Sequence, residues 1–443
     1  MPKLYHEFRD PIHIFIKMFP EERAVVDSRP FQRLRNISQL ALTNLVYPGA
    51  THKRFEHSLG VMEIASRIFD VLTETSNRNK DILDIFPKHP YELLRWRFTL
   101  RMAALCHDIG HLPFSHASEK ELFPKGWNHE KMTATIILGD EMRPFWKTIS
   151  INANEIVKLA LGPKEVAGAF GPDNPDFQFS NWETILSEII VSDTFGADRI
   201  DYLLRDSHHA GVAYGKFDHY RLIDTLRILP FECNHSGTCE EKMPFLGIEG
   251  GGLKTVESLI VARYLMYTQL YFHPVRRIYD IHLKEFLMKL FPKGIPITIP
   301  EYLGLSDNDI LSEIYKCSED SSCPLNELAK RIARRKHYKL LYERHPDDSK
   351  ISLEPGKEVY EEACKAFGAE MIRHDFKEPK GGLTNDFPMK RSDGKIISAL
   401  SSTSVLNQVH MPLIDNVYAS REIYDKSEAW LGSFVASKFK REH

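Results

Sequence analysis

The chain has 443 residues, 42% of them hydrophobic and 27% charged, with a formal net charge of −3. It is long enough to bury a large core, in one large domain with appendages or in two to three units. No apolar run approaches the length that crosses a bilayer, the amino terminus is not basic-then-apolar, and the slight acidity excludes a protein whose main work is coating nucleic acid; a soluble cytoplasmic protein is expected.

Apolar residues recur at intervals of three and four over 55–75, 93–106, 182–206 and 253–290, which predicts a mainly helical architecture. Pro and Gly gather at 162–175, 232–244 and 291–300 and predict breaks there, the first placed as a lid beside a site. Beyond about 350 the segments shorten, with Gly381-Gly382, Asp393-Gly394 and a strand-like run over 395–400. The expected division is a helical core over 1–290, a helical extension over 291–349 and a small α+β lobe over 350–443. Six cysteines are too few for a secreted disulfide scaffold. Cys233/Cys239 and Cys317/Cys323 form two pairs with five intervening residues each, wider than the about two to four that structural zinc usually takes, so free thiols are expected.

The chemistry-bearing residues concentrate around His107-Asp108. Leu94, Phe98, Met102 and Leu105 at helical spacing predict a core-facing helix that delivers this pair at its carboxyl end, with Gly110 suited to stop it. An imidazole and a carboxylate side by side reach one divalent ion if further ligands arrive from elsewhere, and His57 upstream and Asp198 downstream supply the order His, His-Asp, Asp. His111 and His116 follow closely, too many ionisable groups for a dry core without partners of their own. Asp198 and Tyr202 lie one helical turn apart and share a face, whereas Asp201 and Arg205 are read as a surface ion pair at i and i+4.

Longer motifs surround these positions: Asp10-Pro11-Ile12-His13, residues 31–40 (FQRLRNISQL), 47–60 (YPGATHKRFEHSLG) and 198–209 (DRIDYLLRDSHH). In order and spacing they resemble the deoxynucleoside triphosphate triphosphohydrolases of the HD metal-dependent phosphohydrolase superfamily, and the resemblance runs from residue 8 to residue 290. It implies an HD-domain helical core in which His57, His107, Asp108 and Asp198 bind a divalent transition metal. This ligand set does not distinguish Fe, Mn, Zn, Co and Ni, and Mg is expected near the triphosphate.

Carried over residue by residue, the resemblance gives Arg54 and Arg199 the triphosphate, which planar, permanently charged guanidinium groups suit, and gives Arg263 a further phosphate contact. Tyr202 would pack along phosphate or sugar, Asp206 and Gln39 would hydrogen-bond the sugar 3′-hydroxyl, Leu40 would press on the deoxyribose, and Tyr271 would crowd the 2′ position. His111 and His116 would line the α-phosphate side. His129, in Trp127-Asn128-His129-Glu130, stands at the family's catalytic histidine, with Glu119 as its carboxylate partner. Two departures are Tyr267, where the family has a histidine near the phosphates, and Gln269, where some members have Arg.

The implied reaction is hydrolysis of dNTPs to deoxynucleoside and inorganic triphosphate by metal-activated hydroxide attack on the α-phosphorus, in a homo-oligomer of even order with allosteric nucleotide activation. The rival reading is an HD phosphodiesterase or nuclease acting on single-stranded nucleic acid or cyclic nucleotides. Its grip would be the basic run Lys330, Arg331, Arg334, Arg335, Lys336 and Lys339, which reads equally as a solvated helix face. A degenerate nucleotide sensor is weighed down by the completeness of the ligand set.

Overall fold

The computed structural model describes residues 5–115, 119–231, 243–378 and 385–439; His116, Cys233, Cys239 and Gly381-Gly382 lie outside them. The chain is mainly helical. Its centre is the helix Arg54–Thr73, which buries residues on most of its faces, among them His57, Leu59, Met62, Ile64, Ile68 and Leu72. The helices Pro90–Cys106, Asn181–Val191 and Ala197–Ala210 pack against it, and Ala153–Phe170 closes on Pro90–Cys106.

Pro90–Cys106 shows where helical spacing misled. Leu94, expected on the core face, is 66% exposed, whereas Leu100 and Met102 to Cys106 are buried. The first two turns run past the bundle and the last two lie under it, so the buried region is set by neighbours rather than by one stripe. The helix ends at Cys106 with His107 as its cap, so Gly110 does not terminate it.

The break expected at Gly162-Pro163 is present: Gly162, with a φ of 75° open to glycine, is non-helical and divides Ala153–Phe170 into two helices, the second starting at Pro163, which donates no backbone hydrogen bond. The long apolar stretch 253–290 is divided. Leu253–Met266 passes into a π-helical turn over Tyr267–Tyr271, and Pro274–Leu290 begins a new helix at its proline.

Among the described residues, three small sheets complete the fold. His6–Asp10 and Ile14–Met18 form an antiparallel hairpin. Leu226–Phe231, Met243–Glu249, Pro388–Lys390 and Ile396–Ser398 form a four-stranded sheet in that order, with the middle pair parallel. Lys339–Glu343, Ile414–Ala419 and Ile372–Lys377 form an antiparallel sheet with Ile414–Ala419 central. The helices Pro355–Phe367 and Tyr424–Lys438 cover this last sheet around a separate core that includes Leu341, Val359, Ile372 and Val417. Phe387, Met389 and Ala399 instead join the main core beside the long helices. No helix among the described residues is long and apolar enough to cross a membrane.

Candidate metal centre

Three elements deliver one cluster. His57 sits in the first turn of Arg54–Thr73, His107 just beyond Pro90–Cys106, and Asp198 in the first turn of Ala197–Ala210. One ligating atom from each lies within 4.8 Å of the others. His57 Nε2 is 3.0 Å and His107 Nε2 3.7 Å from Asp198 Oδ1. Asp108 stands at the edge of the cluster, 3.5 Å from His107 Nε2 and 3.7 Å from His57 Nε2, with its oxygens engaged by Arg54 Nη1 and, at 3.2 Å, by His111 Nε2.

The proton positions fit a cation. A carboxylate and a carbonyl only accept, so His57 Nδ1, 2.8 Å from Asp201 Oδ2, and His107 Nδ1, 2.8 Å from Ala104 O, carry their hydrogens there. The two Nε2 atoms then face inward toward Asp198, His57 Nε2 in hydrogen-bond contact with its Oδ1 at 3.0 Å and His107 Nε2 buried with no hydrogen-bond partner among the described residues. Two imidazole nitrogens and a carboxylate converging on one point suit a divalent ion, which would displace any proton held between them. The same attraction for positive charge appears in His57: burial opposes protonation, but the bonds to Asp198 and Asp201 outweigh it and lift the group to about 10.

Asp201 is the group that sequence reasoning misplaced. It is paired with Arg205 as expected, at 2.8 Å, but both side chains are 0% exposed. Asp201 also binds His13 Nε2 at 2.8 Å, and Arg205 reaches Asp10 Oδ2 at 2.8 Å. The Asp10 to His13 motif therefore holds the carboxylate that orients His57. This packing requires Gly60, because a Cβ there would stand 1.9 Å from Asp201 Oδ1.

On the second side, His129 Nδ1 is 2.7 Å from Glu119 Oε1 and 3.2 Å from Glu130 Oε2. Its ring stacks on His111 with centroids 4.0 Å apart. Burial works against charge on both rings. For His129 the bond to Glu119 and the charges of Glu130 and Glu119 prevail and raise the pKa; for His111 the charges of Arg54 and His129 add to burial and push it well below the ordinary value. A ring that favours its proton and one that resists protonation thus lie face to face. Gly110 makes this approach possible, since a Cβ there would meet the Thr133 nitrogen at 2.2 Å.

The third side carries the expected nucleotide groups. Arg54 donates to Ser115 Oγ at 2.8 Å, within a turn where Phe114 and Ser115 both adopt left-handed backbone (φ 57° and 56°). Arg199 donates to Ser192 O at 3.2 Å and Asp193 Oδ1 at 3.3 Å, and Arg263 to Asp193 O at 3.4 Å. Tyr271 lies between Tyr202 and Tyr267, with centroids 6.3 and 5.1 Å away, and its hydroxyl donates to Asp206 Oδ2 at 2.7 Å. Tyr267 and Tyr271 are the ends of the π-helical turn, an element rare enough to mark functional sites often. Leu40 is buried, and the Gln39 N–H is bonded to His52 O at 3.1 Å.

A cavity of about 500 Å³ opens onto His107, Asp108, His129 and Asp198. Its far wall brings in Glu188, Phe245 and Phe387, none of which the sequence marks, because they come from separate segments and carry no motif. Burial pushes the Glu188 carboxyl up to about 7. Asp307, in the helical extension, accepts from the Ser38 and Phe114 backbone nitrogens at 2.6 and 2.8 Å and so ties that extension to the site's loops.

Three of the six residues of the basic run pair with carboxylates. Lys330 pairs with Glu327 at 2.8 Å, Arg331 with Glu285 at 3.0 Å, Arg334 with Glu319, and Arg335 donates to Leu45 O at 2.8 Å. Cys317 and Cys323 are neighbours, with sulfurs 2.6 Å apart, and no cluster with a third ligand forms around them among the described residues.

Residues 54–167 match the HD domain family and residues 217–362 match the HD associated region. The chain is 36% identical over 334 residues to an uncharacterized protein of Methanocaldococcus jannaschii, covering 75% of this chain and 58% of that one. It is 27% identical over 398 residues to the deoxynucleoside triphosphate triphosphohydrolase SAMHD1 of Mus musculus, covering 81% and 57%. The crystal structure of a hypothetical protein from Aquifex aeolicus superposes with a TM-score of 0.76 at 31% identity, covering 96% of this chain and all of that one. The chain thus spans just under three fifths of the two curated relatives' length. With both matched regions in order, and His57, His107 and Asp108 inside the first, the chain belongs to the HD-domain family of hydrolases.

Proposed function

We propose that the protein hydrolyses deoxynucleoside triphosphates to deoxynucleoside and inorganic triphosphate. The observation that carries this reading is one face of the helix Ala197–Ala210, on which Asp198, Tyr202 and Asp206 recur every fourth residue along about 12 Å. It joins the candidate metal cluster to a carboxylate already bonded to the Tyr271 phenol. The likeness to SAMHD1, whose name states this activity, supports the same reading. A cytoplasmic homo-oligomer and activation by a nucleotide belong to the proposal as well.

A divalent ion held by His57, His107, Asp198 and the adjacent Asp108 would supply activated water and charge neutralisation at the α-phosphorus. Arg54, anchored by Ser115 and Asp108, presents fixed positive charge at the same place. Arg199 and Arg263 would take the outer phosphates in exchange for their bonds around Asp193. The leaving sugar 5′-oxygen needs a proton, which His129, favoured in its protonated form by Glu119, would supply. Asp206 would accept from the 3′-hydroxyl, and the Tyr271 ring would fill the space a 2′-hydroxyl needs. For the nuclease alternative, Lys330, Arg331 and Arg334 would have to give up their ion pairs to grip a backbone.

The test is incubation with each of the four dNTPs and four NTPs in Mg or Mn, with products separated by ion-pair chromatography and His107→Ala alongside. Deoxynucleoside plus triphosphate from the native protein alone is the expected result. No turnover of any dNTP, singly or in mixtures that would include an activator, would overturn the reading.

A further inference from the structure

Gln39, Asp206 and Tyr271, three groups read above as facing the sugar, converge on His52, a residue so far without a role. His52 closes the loop before the helix Arg54–Thr73, and its side chain is 0% exposed. Its Nε2 lies 2.7 Å from Asp206 Oδ1, while the other Asp206 oxygen takes the Tyr271 hydroxyl at 2.7 Å. Its carbonyl takes the Gln39 N–H at 3.1 Å. The ring stacks on His209 with centroids 4.6 Å apart, and Nδ1 has no partner among the described residues.

An ionised carboxylate only accepts, so the proton of this contact sits on His52 Nε2. Gripped on one oxygen by an imidazole N–H and on the other by a phenol O–H, Asp206 cannot turn about its last bond. Gln39 Oε1 is buried without a partner among the described residues, and the Gln39 N–H is taken by the His52 carbonyl. We propose that His52 is the positioning residue of the sugar pocket: by fixing Asp206, and through it the Tyr271 hydroxyl, its side chain sets the discrimination between a 2′-deoxyribose bearing a 3′-hydroxyl and other sugars. The inference rests on the dNTP reading above and extends it to a residue that touches no substrate.

The test measures kcat and KM for a dNTP, the matching NTP and the matching 2′,3′-dideoxy-NTP in four proteins. His52→Phe keeps an aromatic ring against His209 but donates nothing to Asp206. Its KM for the dNTP should rise roughly 10- to 100-fold, the loss of one charge-assisted bond, with a smaller change in kcat. The dideoxy substrate, which offers no 3′-hydroxyl, should be nearly unaffected, so the dNTP-to-dideoxy preference falls toward one. His52→Gln, whose amide reaches Asp206, should restore most of that preference, and the shorter His52→Asn should not. Native-like ratios in a folded His52→Phe protein overturn the inference. If that variant does not fold, equal ratios in His52→Gln and His52→Asn overturn it. A native enzyme that hydrolyses dNTPs while these variants keep its ratios refutes the His52 role alone. A native enzyme that hydrolyses no nucleoside triphosphate refutes the dNTP reading and this inference with it.

Discussion

Replacing Asp201 by Asn tests the link between the amino-terminal motif and the metal centre with almost no change of shape. Asp201 is 0% exposed and takes bonds from His57 Nδ1, His13 Nε2 and Arg205 Nε at 2.8 Å each, and from Arg205 Nη2 at 3.0 Å. Every one of these partners donates. An amide puts an NH₂ where one acceptor stood, facing donors, and removes the charge that balances Arg205. Breaking one partner of a buried ion pair costs about 3–5 kcal/mol, a large share of the roughly 5–15 kcal/mol that stabilises a domain. His57 also loses the bond that fixes its ring and tautomer, which lowers metal affinity by about 10- to 100-fold. Urea unfolding in the presence of a chelator reads the first effect, and a competition titration with Mn or Zn against a chromophoric chelator reads the second. Stability within about 0.5 kcal/mol of the native protein together with unchanged metal affinity would refute the reasoning.

Gly60→Ala should be severely destabilising, because its methyl would stand 1.9 Å from Asp201 Oδ1 and 2.5 Å from Arg205 Nη2; about 2–5 kcal/mol is expected, read as a lowered unfolding midpoint, and an unchanged midpoint would contradict the packing. His129→Gln should lower kcat by about 10²- to 10⁴-fold while leaving metal content at the native level, and loss of metal would contradict its place as a proton donor outside the ligand set. Glu188, held at about 7 by burial, binds its proton more tightly folded than unfolded, so its contribution is largest at low pH and declines as pH rises from about 4.5 to 7. Chemical unfolding across that window should show about 3 kcal/mol less decline in Glu188→Gln than in the native protein; identical slopes would show that the carboxyl is not desolvated.

Much of the site was legible because its groups sit in contiguous motifs at helical spacing. His107-Asp108 follows an apolar helix, and Asp198, Tyr202 and Asp206 share a face by period alone. What stayed hidden depends on contacts between distant segments. The i, i+4 spacing of Asp201 and Arg205 reads as a surface pair, and only the approach of a helix at Gly60 buries it beneath His57. Leu94 fits the apolar period of its helix but lies on turns that nothing covers. Gly162-Pro163 breaks the helix as its composition predicts, but composition does not show that helix resumes directly after it to Phe170. The small carboxy-terminal strands were foreseen, but not that Pro388–Lys390 adds to a sheet begun at Leu226–Phe231, since strand partners carry no local signature. The role of Asp307 in holding two loops of the site has no sequence signal either.

The most direct test of the account is hydrolysis of a dNTP by the metal-loaded protein in ¹⁸O-water, with mass spectrometry of both products. Attack on the α-phosphorus with departure of the sugar oxygen predicts one ¹⁸O in the inorganic triphosphate and none in the deoxynucleoside. Label in the deoxynucleoside, or release of a deoxynucleoside mono- or diphosphate in place of free deoxynucleoside, would contradict it.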